Sequence, residues 1–286
     1  MLTFTIMAPQ PTRRPAAVAG SWYPGQPATL SSAIDRYVAC VSETVAGEIT
    51  ALVSPHAGLV YSGPVAAHAY RQLEGRAYDV VVLVGPSHHV GFEGVAIVAR
   101  GAFATPLGDV EVSAEDADTI IASCPVVSEL PAAHSREHSL EMQLPFLQRV
   151  LPGVPIVPLV MGHQSRATIA ALAEGLAAAM AGRRALLVAS SDLSHYHDSR
   201  HAALLDRVIV DAVDRFDPEA VERALARDPG HACGGGPIVS VMRAARALGA
   251  ADARVLCYAD SGAVSGDTSA VVGYCSAVFG TFEAEA

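Results

Sequence analysis

The stretch "VVVLVGPSHH" (Val80–His89) decides the fold. Its unbroken apolar, β-branched run reads as a strand buried on both faces, which is the signature of a sheet covered by helices on either side. The run stops at Gly85-Pro86 and delivers two histidines. Other stretches end in the same way. Ile49–Val53 runs into "SPHAGLVYSG", placing His56 just past its end, and glycines there let the backbone turn tightly. Ala185–Ala189 runs into "SSDLSHYH" with Asp192, His195 and His197, and Val255–Tyr258 runs into "ADSGAVSGD" with Asp260. Ligands of open α/β sheets bind beyond the carboxyl ends of the strands, so these ends are predicted to converge on one site.

With Val154–Val160 and Val271–Val278, the pattern predicts six strands. Helices are expected between them over Pro64–Leu73, Ala114–Ala122, Glu137–Val150, Ser165–Ala181, Arg200–Phe216, Pro218–Arg227 and Pro237–Leu248. Pro145 should kink or split the third of these. The expectation is a three-layer α/β protein, a single domain over residues 1–286 with a central, mostly parallel sheet and helices on both faces. The first residues, up to about 14, read as a disordered extension.

Composition removes several function classes. All 19 basic residues are arginine. Without lysine there is no Schiff-base aldol chemistry, no internal pyridoxal phosphate linkage and no P-loop of the GxxxxGK[ST] kind. A net charge of −10 provides no broad basic face for nucleic acid or an anionic membrane. No apolar stretch reaches the ~18 residues of a membrane span, and the N-terminus lacks the order of a secretory signal, so a cytoplasmic location is expected. Five cysteines without CxxC spacing argue against a disulfide framework or a structural zinc knuckle.

Among the cysteines, Cys233 alone stands in a distinctive setting, "HACGGGP", ahead of three glycines and a helix-opening proline. A helix N-terminus there would favour the thiolate. "HSREHSLEMQLP" pairs His134 with His138, and His138 with Glu141, at spacings that share a face if the segment is helical; it reads as surface or as a support in which Glu141 or His138 orients another ligand. His197 and His201 form the main competing metal pair and read as a solvated helix face.

The motifs "GSWYPG", "SPHAGLVYSGPVAAHAY", "VGPSHH", "EHSLEMQLPFL", "VPLVMG", "SSDLSHY" and "ACGGGPI", in this order from about Pro15 to about Gly280, resemble the Memo family, whose fold is similar to that of class III extradiol dioxygenases. The resemblance implies a mononuclear metal held by His56, His88 and Cys233, with Asp192 and His195 in the same pocket and Trp22, Tyr23 and Tyr61 at its mouth. The extradiol pattern uses two histidines and a carboxylate on Fe(II). Here a thiol stands in the carboxylate's place, so Fe(II) is the first expectation and copper or zinc the alternatives, with Glu141 or Asp192 as a carboxylate able to join the shell. His195 is the expected general acid and base, oriented by Asp192.

Three functions compete. The first is a metal-dependent oxidoreductase acting on a small aromatic or other oxygen-rich molecule. The second is a metal-buffering or redox protein without dioxygenase turnover. The third is a module binding a peptide or protein partner through Trp22, Tyr23 and Tyr61. Metal-assisted hydrolysis with Asp192 as base is a residual option, since no GxSxG elbow or HExxH helix is present.

Overall fold

The alternation of apolar strands and helices builds one nine-stranded sheet with a small satellite sheet beside it, in a computed structural model describing residues 13–283. In chain order the strands are β1 (Arg13–Arg14), β2 (Gly47–Ser54), β3 (Val80–Pro86), β4 (Val95–Ile97), β5 (Ala102–Thr105), β6 (Gly108–Glu111), β7 (Val127–Glu129), β8 (Ile156–Met161), β9 (Ala185–Ser190), β10 (His195–His197), β11 (Asp252–Asp260) and β12 (Val271–Phe282). The helices are α1 (Pro27–Ala39), α2 (Leu59–Arg71), α3 (Ala114–Ser123), α4 (Pro131–His134), α5 (Leu144–Val150), α6 (Arg166–Ala179), α7 (Ser199–Asp214), α8 (Pro218–Arg227), α9 (Gly235–Ala247) and α10 (Gly262–Ser265).

The sheet runs β10-β12-β2-β9-β3-β8-β4-β7, with β11 on β12. Its centre, β2-β9-β3-β8, is parallel. The flanks are not: β12 joins β2, and β4 joins β8, antiparallel. The predicted "mostly parallel" sheet is therefore a parallel core with antiparallel borders. Side chains alternate faces along each strand. In the opening stretch, Val80, Val82 and Val84 enter the apolar layer under α6, α7 and α9, while Val81 and Leu83 enter the layer under α1, α2 and α5. Burial on both faces explains why the strand carries no polar residue.

All six predicted strands form. The three short strands β4, β7 and β10 of the main sheet and the three-stranded β1-β5-β6 sheet lie outside that prediction. Most of the expected N-terminal extension lies outside the described residues, but Arg13 and Arg14 are ordered, pairing with Ala102 and Phe103. Helix α2 starts ahead of Pro64, leaving that proline inside it; the proline removes an intrahelical donor for Val60, which is 55% exposed and open to water. Glu137–Val150 does not form one helix. After α4 the chain is irregular, turns once as a 3-10 helix (Glu141–Gln143), and only then enters α5, where Pro145 sits in the first turn and its missing N–H does no harm. Among the described residues no helix is long and apolar enough to cross a membrane.

Candidate metal centre

The parallel core ends where the chemistry begins. His56 follows the end of β2, His88 follows β3, and His138 comes from the irregular loop after α4. One ligand-capable atom from each lies within 4.8 Å of the others. Ring centroids are 5.2 Å apart for His56 and His88, 5.6 Å for His56 and His138, and 4.4 Å for His88 and His138. His56 and His138 are buried, and His88 faces solvent.

Hydrogen bonds behind the rings fix which nitrogens are free. Gln143 Nε2 donates to the Pro55 carbonyl at 3.0 Å, which sets its amide orientation, and donates also to Ser190 Oγ at 2.8 Å. Ser190 gives its one proton to the Ser139 carbonyl at 2.6 Å. His56 Nδ1, 2.9 Å from Ser190 Oγ, must therefore donate, leaving the Nε2 lone pair for the cluster. His88 Nδ1 donates to Glu137 Oε1 at 2.8 Å, with the same consequence. This is the arrangement that metal-binding imidazoles require of their surroundings.

Glu137 also accepts from the N–H groups of His88, His138 and Ser139 at 2.6, 2.9 and 2.9 Å. Burial opposes its ionisation, but His88 and these amides outweigh burial and hold it well below the usual carboxylate range. The rings move the other way. Burial, reinforced by charge on neighbouring imidazoles, pushes His56 and His138 down to about 3 each. At neutral pH both are neutral, with lone pairs able to bind a cation.

Asp192 follows the end of β9 and is buried. Its Oδ1 accepts from the His56 and Ala57 amides at 2.7 and 3.3 Å, and its Oδ2 is 4.0 Å from His56 Nε2. Burial lifts its carboxyl to about 6 against those donors. Cys233 Sγ lies 3.3 Å from His56 Nε2 and 3.6 Å from the Asp192 carbonyl. The expected thiolate-favouring effect of the helix start does not prevail: burial and the nearby Asp192 push the thiol above its usual range. Glycine is required after it, because a Cβ on Gly234 would sit 2.5 Å from the Ser190 carbonyl. His195, on β10, is half-buried and close enough to His56 and Asp192 to act on both electrostatically.

Other expected residues serve elsewhere. Glu141 is fully buried and accepts from Arg14, from the Ala17 and Val18 amides at 2.7 and 3.0 Å, and from Tyr23 Oη at 2.6 Å, which leaves it no role in a metal shell. Tyr23 is accordingly a buried anchor and does not line the mouth in the manner of an exposed aromatic. Trp22 and Tyr61 are each 39% exposed, and the Trp22 ring stands 4.3 Å from that of His138. Asp260 is held by Ser199 Oγ and the Gly262 amide. His134 lies under the sheet with Nε2 3.1 Å from the Ala96 carbonyl. Sequence reasoning missed His138 as a member of the cluster and Glu137 as the group orienting His88. Spacing carried no signal for either, because both depend on a loop that is not helical.

The Memo-like protein family model matches residues 14–278. A MEMO1 family protein of Methanosarcina acetivorans is 39% identical over 268 residues, covering 93% of this chain and 98% of its own. Another from Nitrosopumilus maritimus is 34% identical, covering 91% and 97%. A crystal structure of an uncharacterized protein from Escherichia coli K12 superposes with a TM-score of 0.55 at 14% identity, over 80% of this chain and 99% of that one, a likeness of fold alone. The histidines gathered beyond β2 and β3 thus sit in a chain that matches this family over nearly its whole length, and the protein belongs to the Memo family.

Proposed function

We propose that this Memo-family chain is a mononuclear metal-dependent oxidoreductase acting on a small aromatic or other oxygen-rich molecule, with Fe(II) as the first-choice ion and copper or zinc as alternatives. The observation that carries this reading is the group of three imidazoles whose ligand atoms lie within 4.8 Å, two of them held with Nε2 free. Neutral nitrogen donors beside a thiol suit late first-row ions. His56 and His88 would hold the ion, with Cys233 and His138 as the further donors. Bound there, a transition ion supplies Lewis-acid and redox chemistry.

The chain's own residues do the rest. Asp192, raised to about 6 by burial, is poised to exchange a proton near neutrality while its Oδ1 holds the His56 backbone. His195 is the proton carrier at the substrate. Trp22 and Tyr61 offer half-exposed rings against which a planar substrate can rest.

A second reading, a metal-holding protein without turnover, is favoured by one feature: the imidazole group itself contains no carboxylate. Oxygen uptake separates the two. Anaerobically purified, Fe(II)-loaded protein is mixed with oxygen and a panel of catechols and aminophenols. Uptake that disappears in His195→Ala while the metal stays bound supports the oxidoreductase. Metal binding with no uptake across the panel supports the second reading, and protein that binds no metal removes both.

A further inference from the structure

Outside the buried cluster, His197 and His201 lie with ring centroids 4.6 Å apart and planes tilted by 44°. Imidazoles sharing one ion through metal–nitrogen bonds of ~2.1 Å have centroids about 4.5–5.2 Å apart. The separation also falls inside the 4.4–5.6 Å range of the buried trio. The two do not lie on one helix face, as their spacing suggests. His197 belongs to β10 and His201 to the first turn of α7, and the chain folds back between them.

The backbone holds both positions. His197 pairs with Val271 on β12, the Ser199 amide donates to the Thr268 carbonyl at 2.9 Å, and the N-cap Asp198 accepts the His201 amide at 3.1 Å. Among the described residues, neither imidazole makes a hydrogen bond or ion pair through its ring nitrogens, so their lone pairs are uncommitted.

A strand irregularity separates this pair from the buried site. His195 pairs with Val272 and His197 with Val271, so Tyr196 is an extra residue, bulged at φ 63 and 78% exposed. In a regular strand His195 and His197 would share a face; a one-residue bulge places them on opposite faces. A tyrosine in the left-handed region is uncommon and strained, and such strain concentrates at functional positions. The divergence is visible in the partners: His195 lies within electrostatic reach of His56 and Asp192, whereas the His197 ring meets His201.

We infer that His197 and His201 form a second, surface site for a late first-row divalent cation, with water completing its shell. It stands apart from the buried centre and does not depend on turnover there.

The test is calorimetric titration of ZnCl2 into protein whose buried site has first been filled. Wild type is expected to take a further equivalent, and His197→Ala and His201→Ala are each expected to lose it while keeping the first. In His56→Ala the surface equivalent should remain although the buried one weakens, so failure at one site is distinguishable from failure at the other. A wild type that saturates at the first equivalent, a further equivalent that survives in the double variant His197→Ala/His201→Ala, or loss of both equivalents together in that variant overturns the inference.

Discussion

Glu137 and Glu141 lie one helical turn apart in sequence, both are buried, and both accept four hydrogen bonds, yet they serve different ends. Glu137 turns to His88 and to the backbone of the loop that carries His138. Glu141 turns to Arg14, Ala17, Val18 and Tyr23, fastening the N-terminal segment that carries Trp22. One carboxylate orients the candidate centre, and the other closes the fold around it. A buried charge is informative only through its partners: the same residue type is a metal-site support in one place and a structural anchor a few residues on.

The largest effect separating the two should come from Arg14→Ala. The variant leaves the fully buried Glu141 carboxylate without its cation, and removing one partner of a buried pair is expected to lower stability by about 3–5 kcal/mol in urea unfolding. Metal affinity measured below the unfolding transition should fall much less than in Glu137→Gln, because Arg14 reaches the cluster loop only through the His134 and Glu137 carbonyls. Glu137→Gln should do the reverse. It removes the negative acceptor of His88 Nδ1–H, and loss of such an orienting group typically lowers metal affinity about 10- to 100-fold. Equal losses of affinity in the two variants would erase the distinction.

Acidification sharpens it next. Burial pushes folded His56 and His138 down to about 3 and His134 down to about 4, against 6.5 for an ordinary imidazole. Between those values the unfolded chain binds protons that the folded chain does not, so metal-free protein should lose stability as pH falls from 6.5 towards 4. Asp192, raised from 3.8 to about 6, contributes in the opposite sense over its own window, and the three histidines outnumber it. Because buried His56 and His138 resist protonation, those two donors should keep their hold on bound metal down to about pH 4; an equilibrium dialysis series in which both are protonated near pH 6.5 would contradict their burial. The smallest effect belongs to Tyr23→Phe, which deletes one of four donors to Glu141 and should cost about 1.5 kcal/mol in thermal or urea unfolding with metal affinity unchanged.

Much of this was legible in the sequence because strand ends are marked by local chemistry. Apolar runs located β2, β3, β8, β9, β11 and β12, of which β11 is only half-buried, and the polar residues after β2, β3 and β9 include His56, His88 and Asp192. Cys233 approaches His56 because glycine at position 234 lets the loop lie against the end of β9. What stayed hidden depends on tertiary placement. Strands β4 and β7 are three residues long, too short for alternation to register. His138 and Glu137 act through a loop whose course is set by Arg14, which bonds the His134 and Glu137 carbonyls from far away in the chain. Helical spacing was the wrong ruler for that segment, and it pointed to Glu141 when the orienting carboxylate is Glu137.

The most direct measurement is the metal content of anaerobically purified protein after dialysis against a weak chelator, compared across wild type, His56→Ala, His88→Ala and Cys233→Ala. A single tightly held transition ion per chain is expected in wild type, with nearly complete loss in the two histidine variants and weakened retention in the cysteine variant. Wild type that retains no metal, or full retention in both histidine variants, would contradict a metal centre beyond β2 and β3.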